Sequence, residues 1–395
     1  FAAGAAAVLT QEHATMQAKH AWIAVPDTAK ALQALATAYR RRFQMPLIGI
    51  TGSVGKTTTK EMVALALSAG LNVMKTQGNQ NSQVGVPLTM FQLDASYQAG
   101  VIEMGMSQFG EMARLASIVA PQYAVMTNIG ISHIENLHTQ DNILREKLHI
   151  TDGFGPDSIL VLNGEDPMLA GLRGRLPFRT VFVGMQPWCD YRATDLVSHD
   201  GTMDFTAQCP GMQVPVHLPV LGAHQVTNAL AALAIADILH VDPQAAAAAL
   251  ANYQPLAMRQ QVHHVDGITI IDDTYNASPD AMRSSVDVLC AYSGRHVAVL
   301  GDMLELGAYS EQAHFSCGEH AAQAGVDLLV TVGPAAAAIG EGARSVCPQM
   351  ACRHFETNRE AAEYLRQALT AGDVVLVKGS RGMHMEEIIS RLISL

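Results

Sequence analysis

Residues Leu47 to Met62 read LIGITGSVGKTTTKEM, and this stretch decides the fold. Its apolar start (Leu47, Ile48, Ile50) has the form of a buried strand, while Met62, Leu65 and Ala66 fall at helical spacing. Between them lie Gly52, Ser53 and Gly55, then Lys56 and the threonines Thr57, Thr58 and Thr59. Strand, glycine loop, lysine–threonine and helix together make a phosphate-binding loop. Glycines let backbone N–H groups close around phosphate oxygens, the lysine reaches the terminal phosphates, and the first threonine can ligate magnesium. The strict spacing G-x-x-x-x-G-K-[ST] is not met, because Ile50 stands where the first glycine belongs and Gly49 comes one residue early. The loop is a TGxxGKTTT variant.

Outward from this loop the chain alternates strand and helix, which argues an α/β fold with a mostly parallel sheet covered on both faces. Strands are expected at Asn72–Lys75, Val101–Met104, Tyr123–Asn128 and Ile159–Leu162, with helices near Leu88–Leu93, Met112–Ile118 and Ile143–Thr151. Residues 178–220 alternate without helical period and read as an antiparallel insertion, followed by an alanine-rich helical pair over Gln225–Leu250. A linker around Pro255 leads to a second alternating unit. Its strands are Ile268–Ile271, His296–Leu300, Leu328–Val332 and Val374–Lys378; its helices are Asp280–Ala291, Ser310–Ala324, Arg359–Leu369 and Met385–Leu395. The expected organisation is a partial N-terminal α/β unit (1–46), a central nucleotide-binding domain (47–256) and a C-terminal dinucleotide-fold-like domain (257–395). In the first unit Asp27 caps a helix over Thr28–Arg42, and Arg40–Arg42 reads as its solvated end. The start at Phe1, in a strand-like pattern, implies sequence upstream.

A chain of 395 residues with 49% hydrophobic and 15% charged residues has ample material for several cores. Its net charge of −11, without blocks of like charge, disfavours a nucleic-acid surface. Six cysteines lack any CxxC pair, so buried thiols in a reducing compartment are expected. No apolar run is long enough to span a membrane and the start lacks a signal-peptide pattern, so a cytoplasmic monomer is expected.

Further polar clusters sit at expected strand ends, where open parallel sheets place their ligands. Glu103 ends VIEMG, a natural position for a magnesium ligand, and His133 and Glu135 follow the strand ending at Asn128. Lys147 lies in REKLH on a helix. IIDDTYNASPDAM puts Asp272, Asp273, Tyr275 and Asn276 before a helix that Ser278 can cap, with Pro279 at its first position. VKGSRGMHME, with Gly379, Ser380, Arg381 and Gly382, is a second glycine loop suited to a carboxylate or phosphate. These residues alone reach an ATP- and magnesium-dependent enzyme with a second anion-holding domain.

Together, GITGSVGKTTTKEM, TQGNQNSQVGVPLT, VIEMGMSQFGEM, NIGISHIENL, GAHQVTNALAA, DDTYNASP, GDMLELG and KGSRGM resemble the Mur ligase family from about Leu47 to the C-terminus. Residues 1–46 resemble the tail of the family's uridine-nucleotide-holding N-terminal domain. The resemblance implies ATP-dependent amide formation through an acyl phosphate. The DDTYNASP and GDMLELG wording points to D-alanyl-D-alanine as amine and UDP-N-acetylmuramoyl-tripeptide as acid. It also implies roles. Gly52, Ser53, Gly55, Lys56, Thr57 and Thr58 would hold phosphates, with Asn79 helping and Thr57, Glu103 and His133 ligating magnesium. Asn228 would contact adenine, Arg259 the terminal phosphate, and Asp273 the nucleotide from the C-terminal side. Lys147 matches the position that several relatives carry as a carbamylated lysine, an anion able to support magnesium. His149, Gln225, Gln260 and Gln261 depart from the family's usual residues. A sister ligase with another amine, an N-terminally truncated nucleotide-binding protein, and a nucleotide-driven switch or motor remain as alternatives. The KGSRGM loop argues against the last.

Overall fold

The chain, described here from a computed structural model covering residues 1–11 and 20–393, is built on two large sheets joined by a short linker. Residues 394 and 395 of the expected last helix lie outside the described residues; the helix runs Glu386–Ile393. At the N-terminus, strands Ala7–Thr10 and Ala21–Ala24 pair in parallel, and Asp27 caps helix Thr28–Arg40 by accepting from Lys30 N at 3.0 Å. Arg40 is not solvated as expected. It is buried, and its guanidinium donates to the carbonyls of Val119 (3.0 Å), Phe43 (2.7 Å) and Met45 (3.3 Å), tying this helix to the central domain. Arg41 and Arg42 are exposed.

The nine-stranded central sheet has strand Leu47–Thr51 between Ala99–Glu103 and Tyr123–Met126, all parallel. All of Leu47–Thr51 is buried, as a strand covered on both faces must be. One face is covered by helix Lys56–Leu67 and by Ala223–Ile238, an apolar helix buried almost throughout. The other carries helices Glu111–Val119 and Gln140–Leu148. The antiparallel strands expected in the region 178–220 are present, but they extend this sheet. Arg179–Gly184 is its last fully parallel strand. Tyr191–His199, which the sequence did not announce, starts parallel to it and then leads the antiparallel strands Thr202–Cys209 and Met212–Leu218. Alternation in Tyr191–His199 is broken where Asp195 takes a left-handed conformation (φ 55°) and the register shifts opposite Asp204–Thr206.

The C-terminal sheet has six strands in the order Gln261–Val265, Ile268–Asp272, Asp373–Lys378, Arg295–Gly301, Leu328–Val332, Ala351–Phe355. Only the first is antiparallel to its neighbour. The two strands absent from the sequence reading, QVHHV and ACRHF, are the two edges, whose half-exposed residues carry no apolar run. Helix Ala337–Val346 also escaped it, because Gly340 and Gly342 weaken its helical signal.

Candidate active site

The glycine loop, the DDTYNASP segment and the residues around Arg259 face one another across a cleft of about 610 Å³. Its floor is the loop itself. Gly52 (φ 148°) sits against Thr127, where any Cβ would collide with Oγ1, and Gly55 (φ 84°) turns the chain into helix Lys56–Leu67. The loop is pinned to the neighbouring strand end. Ser53 N donates to Asn128 O (3.0 Å), Val54 N to Asn128 Oδ1 (2.9 Å), and Thr127 Oγ1 to Val54 O (2.5 Å). Thr127 and Asn128 were missed as loop supports; only their place at a strand end hinted at it. The helix start aims its unpaired N–H groups at the cleft, as an anion site requires. Lys56 Nζ donates to the carbonyls of Gly52 (2.8 Å) and Ser53 (3.2 Å). Burial lowers its pKa, Glu103 opposes that, and Arg259 adds to it.

Glu103 is buried at the end of its strand; its Oε1 accepts from Thr57 Oγ1 (3.2 Å) and Asn81 Nδ2 (2.7 Å). Its Oε2 is buried with no hydrogen-bond partner. An orphaned buried carboxylate oxygen beside a helix N-terminal hydroxyl fits a divalent cation, whose charge offsets the desolvation. Among the described residues no group of three or more His, Cys, Asp or Glu side chains forms a complete metal site. Asn79, expected near the phosphates, is exposed and does not line the cleft; Asn81 does, through Glu103. The two asparagines of GNQNS are separated by one residue, and only the turn between them decides which points inward.

His133 lines the cleft in a left-handed conformation (φ 62°), with Nδ1 3.0 Å from Glu305 Oε2. Burial, Lys56 and Lys147 lower its pKa. Lys147 is buried, and among the described residues no hydrogen bond or ion pair reaches its Nζ. Burial, with Lys56 second, holds its pKa well below the usual lysine range, which disfavours the ammonium form. Its neighbour Glu146 is occupied elsewhere, accepting from Gly110 N and Met112 N at 3.0 Å each. His149 turns away to Asp152 (2.9 Å).

The opposite wall is the C-terminal domain. Asp273 Oδ2 accepts from Lys378 Nζ (2.5 Å) and Ser285 Oγ (2.6 Å), and Lys378 also reaches Asn276 O (3.0 Å). These bonds stitch DDTYNASP to KGSRGM, and Lys378 is a cleft residue to which the sequence had assigned no role. Ser278 stands at the expected cap position before Pro279, but its hydroxyl makes no cap bond and is buried without a partner beside the cleft. The Arg259 guanidinium stacks 3.8 Å over the Tyr275 ring, between Met258 (φ 64°) and Gln260 (φ 54°), both left-handed. Asn228 is buried at the seam. It accepts from Thr59 Oγ1 (3.0 Å) and donates to Gln225 Oε1 (3.3 Å); Gln225 Nε2 in turn donates to Gln260 Oε1 (2.9 Å) across the domain boundary. The departures Gln225 and Gln260 thus partner each other.

A phosphate-binding loop facing a second α/β domain across a cleft defines a nucleotide-dependent enzyme. Residues 50–236 match the Mur ligase middle domain and residues 258–381 the Mur ligase, glutamate ligase domain. Over 397 aligned residues the chain is 36% identical to the UDP-N-acetylmuramoyl-tripeptide–D-alanyl-D-alanine ligase of Bacillus subtilis, covering 100% of this chain and 86% of that protein. Its structure is similar to MurF from Acinetobacter baumannii (TM-score 0.91, 32% identity, 98% of this chain and 84% of that one). It is also similar to MurF ligase from Thermotoga maritima in complex with ADP (TM-score 0.87, 28% identity, 99% and 89%). The chain belongs to the Mur ligase family.

Proposed function

We propose that this ligase joins D-alanyl-D-alanine to UDP-N-acetylmuramoyl-tripeptide at the expense of ATP, a step of peptidoglycan precursor synthesis. The observation that carries the reading is the cleft itself, with a phosphate loop on one wall and the Asp273–Lys378 pair on the other; the second glycine loop, Gly379–Gly382, follows Lys378 but does not line the cleft. A carboxylate is a poor electrophile. An oxygen of the tripeptide carboxylate attacks the γ-phosphorus and ADP leaves. The dipeptide amine then attacks the acyl carbon, losing a proton as phosphate departs. Both steps are governed by positioning and by screening of anionic repulsion.

Lys56 and the N–H groups of the loop through Thr58 hold the β- and γ-phosphates. Thr57, Glu103 and His133 would hold magnesium, which would screen phosphate against carboxylate. Asn228 lies on the adenine side, and Arg259 and Asp273 meet the nucleotide from the C-terminal domain. Asn81 replaces Asn79 as the asparagine beside the cation ligands. Lys147, buried without a hydrogen-bond partner and with its ammonium form disfavoured, suits carbamylation, which needs a neutral amine; a carbamate there would support the cation, and added bicarbonate should restore activity lost on exhaustive decarbonation. Residues 47–256 bind ATP, 257–395 close over it, and 1–46 contribute to holding the uridine nucleotide. A monomer suffices, since one chain supplies both walls. No helix among the described residues is long and apolar enough to cross a membrane, and the nucleotide substrates assign the reaction to the cytoplasm. The test is phosphate release with ATP, magnesium, the tripeptide precursor and D-alanyl-D-alanine, each omitted in turn. Release without the dipeptide, or equal release with single amino acids, overturns the reading. Lys56→Ala should abolish release while leaving the fold intact.

A further inference from the structure

The two domains meet at His133 as well as at the linker. The 3-10 turn Gly307–Tyr309 of the C-terminal domain packs on the short helix Ile134–Leu137, and a Cβ at Gly307 would lie 3.5 Å from Glu135 Cγ. Just before that turn Glu305 reaches across to His133 Nδ1 at 3.0 Å. Both residues are non-glycine and left-handed, each at φ 62°. Such backbone costs about 1–2 kcal/mol per residue and persists where surroundings over-determine it. Here it aims the two side chains at each other.

The chemistry of that contact is directional. A carboxylate oxygen only accepts, so His133 Nδ1 must carry the proton. In a neutral ring the lone pair then resides on Nε2, the nitrogen left for a cation. The Glu305 side chain is 67% exposed, so the pair adds little to stability by charge attraction. We propose that Glu305 is a positioning residue. From the C-terminal domain it fixes the tautomer and ring orientation of His133 that present Nε2 to the divalent cation. This rests on the reading of His133 as a cation ligand. The cation site therefore draws on both domains, the ligand on the central one and the group that orients it on the C-terminal one.

The test is titration of the full chain, with ADP present, with Mn²⁺ followed by electron paramagnetic resonance, a readout independent of turnover. Glu305→Ala should weaken Mn²⁺ binding about tenfold, at the low end for loss of a group supporting a metal-bound histidine. Glu305→Gln, whose carbonyl can still accept from Nδ1–H, should stay within about threefold of the wild type. His133→Ala should weaken binding at least as much as Glu305→Ala, and the double variant should be no weaker than His133→Ala alone. Unchanged binding in His133→Ala removes the ligand reading and this inference with it. If His133→Ala weakens binding while Glu305→Ala stays within twofold, positioning by Glu305 is overturned and the ligand reading stands. A double variant as weak as the product of the singles, or Glu305→Gln as weak as alanine, overturns it equally.

Discussion

Lys378→Met probes the buried pair on which the C-terminal wall rests. The substitution keeps the apolar stem and removes the ammonium that lies 2.5 Å from Asp273 Oδ2. Side-chain exposures of 4% for Lys378 and 12% for Asp273 leave little water to compensate. Asp273 would keep the Ser285 hydroxyl at 2.6 Å on that oxygen and lose its counter-charge. Breaking a buried ion pair from one side costs about 3–5 kcal/mol. Because Asp273 borders the cleft, the low end applies, about 3 kcal/mol. At roughly 2–4 °C per kcal/mol for a unit of this size, the unfolding midpoint of the C-terminal domain should fall by about 6–12 °C. Scanning calorimetry of the full chain without nucleotide measures it. Adding Asp273→Asn removes the stranded charge while preserving an acceptor for Ser285, and should recover more than half of the lost stability without recovering turnover. A midpoint within about 2 °C of the wild type for Lys378→Met, or a double variant less stable than that single one, would refute the reasoning.

Gly52→Ala puts a Cβ into Thr127 Oγ1 at a left-handed position, and should cost about 2–4 kcal/mol in denaturant unfolding and weaken ADP binding; an unchanged midpoint contradicts the pinned-loop geometry. Burial raises the thiols of Cys189, Cys209 and Cys290 to about 11 and that of Cys317 to about 12, against 9.0 for an ordinary thiol. At pH 8 their thiolates are then about a hundredfold scarcer or more, so iodoacetamide should label them that much more slowly in the native chain than in urea, as read by peptide mass spectrometry. Lys147 is depressed in the folded state, so the unfolded chain binds more protons and stability rises with pH until the unfolded lysine itself titrates near 10.5. In carbonate-free buffer Lys147→Met should therefore be more stable than the wild type. That advantage should grow by up to about 1.4 kcal/mol per pH unit as pH falls through the window between the folded and unfolded pKa values. An advantage independent of pH would show that Lys147 stays charged.

The loop at Gly52–Thr59, its strand and its helix were legible in the sequence because everything that makes them is contiguous. Glu103 was legible too, as a carboxylate ending the adjacent parallel strand. What pairs with what was not. Lys378 and Asp273 are 105 residues apart, and His133 and Glu305 are 172 apart, joined only by the packing of one domain on another. Arg40 looked solvated because its acceptors are three backbone carbonyls, which leave no trace in composition. Asn79 and Asn81 differ only in which way a turn faces. Edge strands such as Gln261–Val265 lack the apolar run that announced the central ones.

The order of strands in the C-terminal sheet bears on synthesis. The last strand of the chain, Asp373–Lys378, lies in the middle, between Ile268–Asp272 and Arg295–Gly301. The central sheet has all its strands once Leu218 has been translated, whereas the C-terminal sheet stays split in two until Lys378 emerges. At about 5–20 residues per second that interval is roughly 10–30 s. Throughout it the nascent polypeptide carries a finished nucleotide loop opposite a wall whose lysine has not yet been made. A ribosome that stalls late therefore leaves two unpaired sheet edges, prone to association, and no ligase.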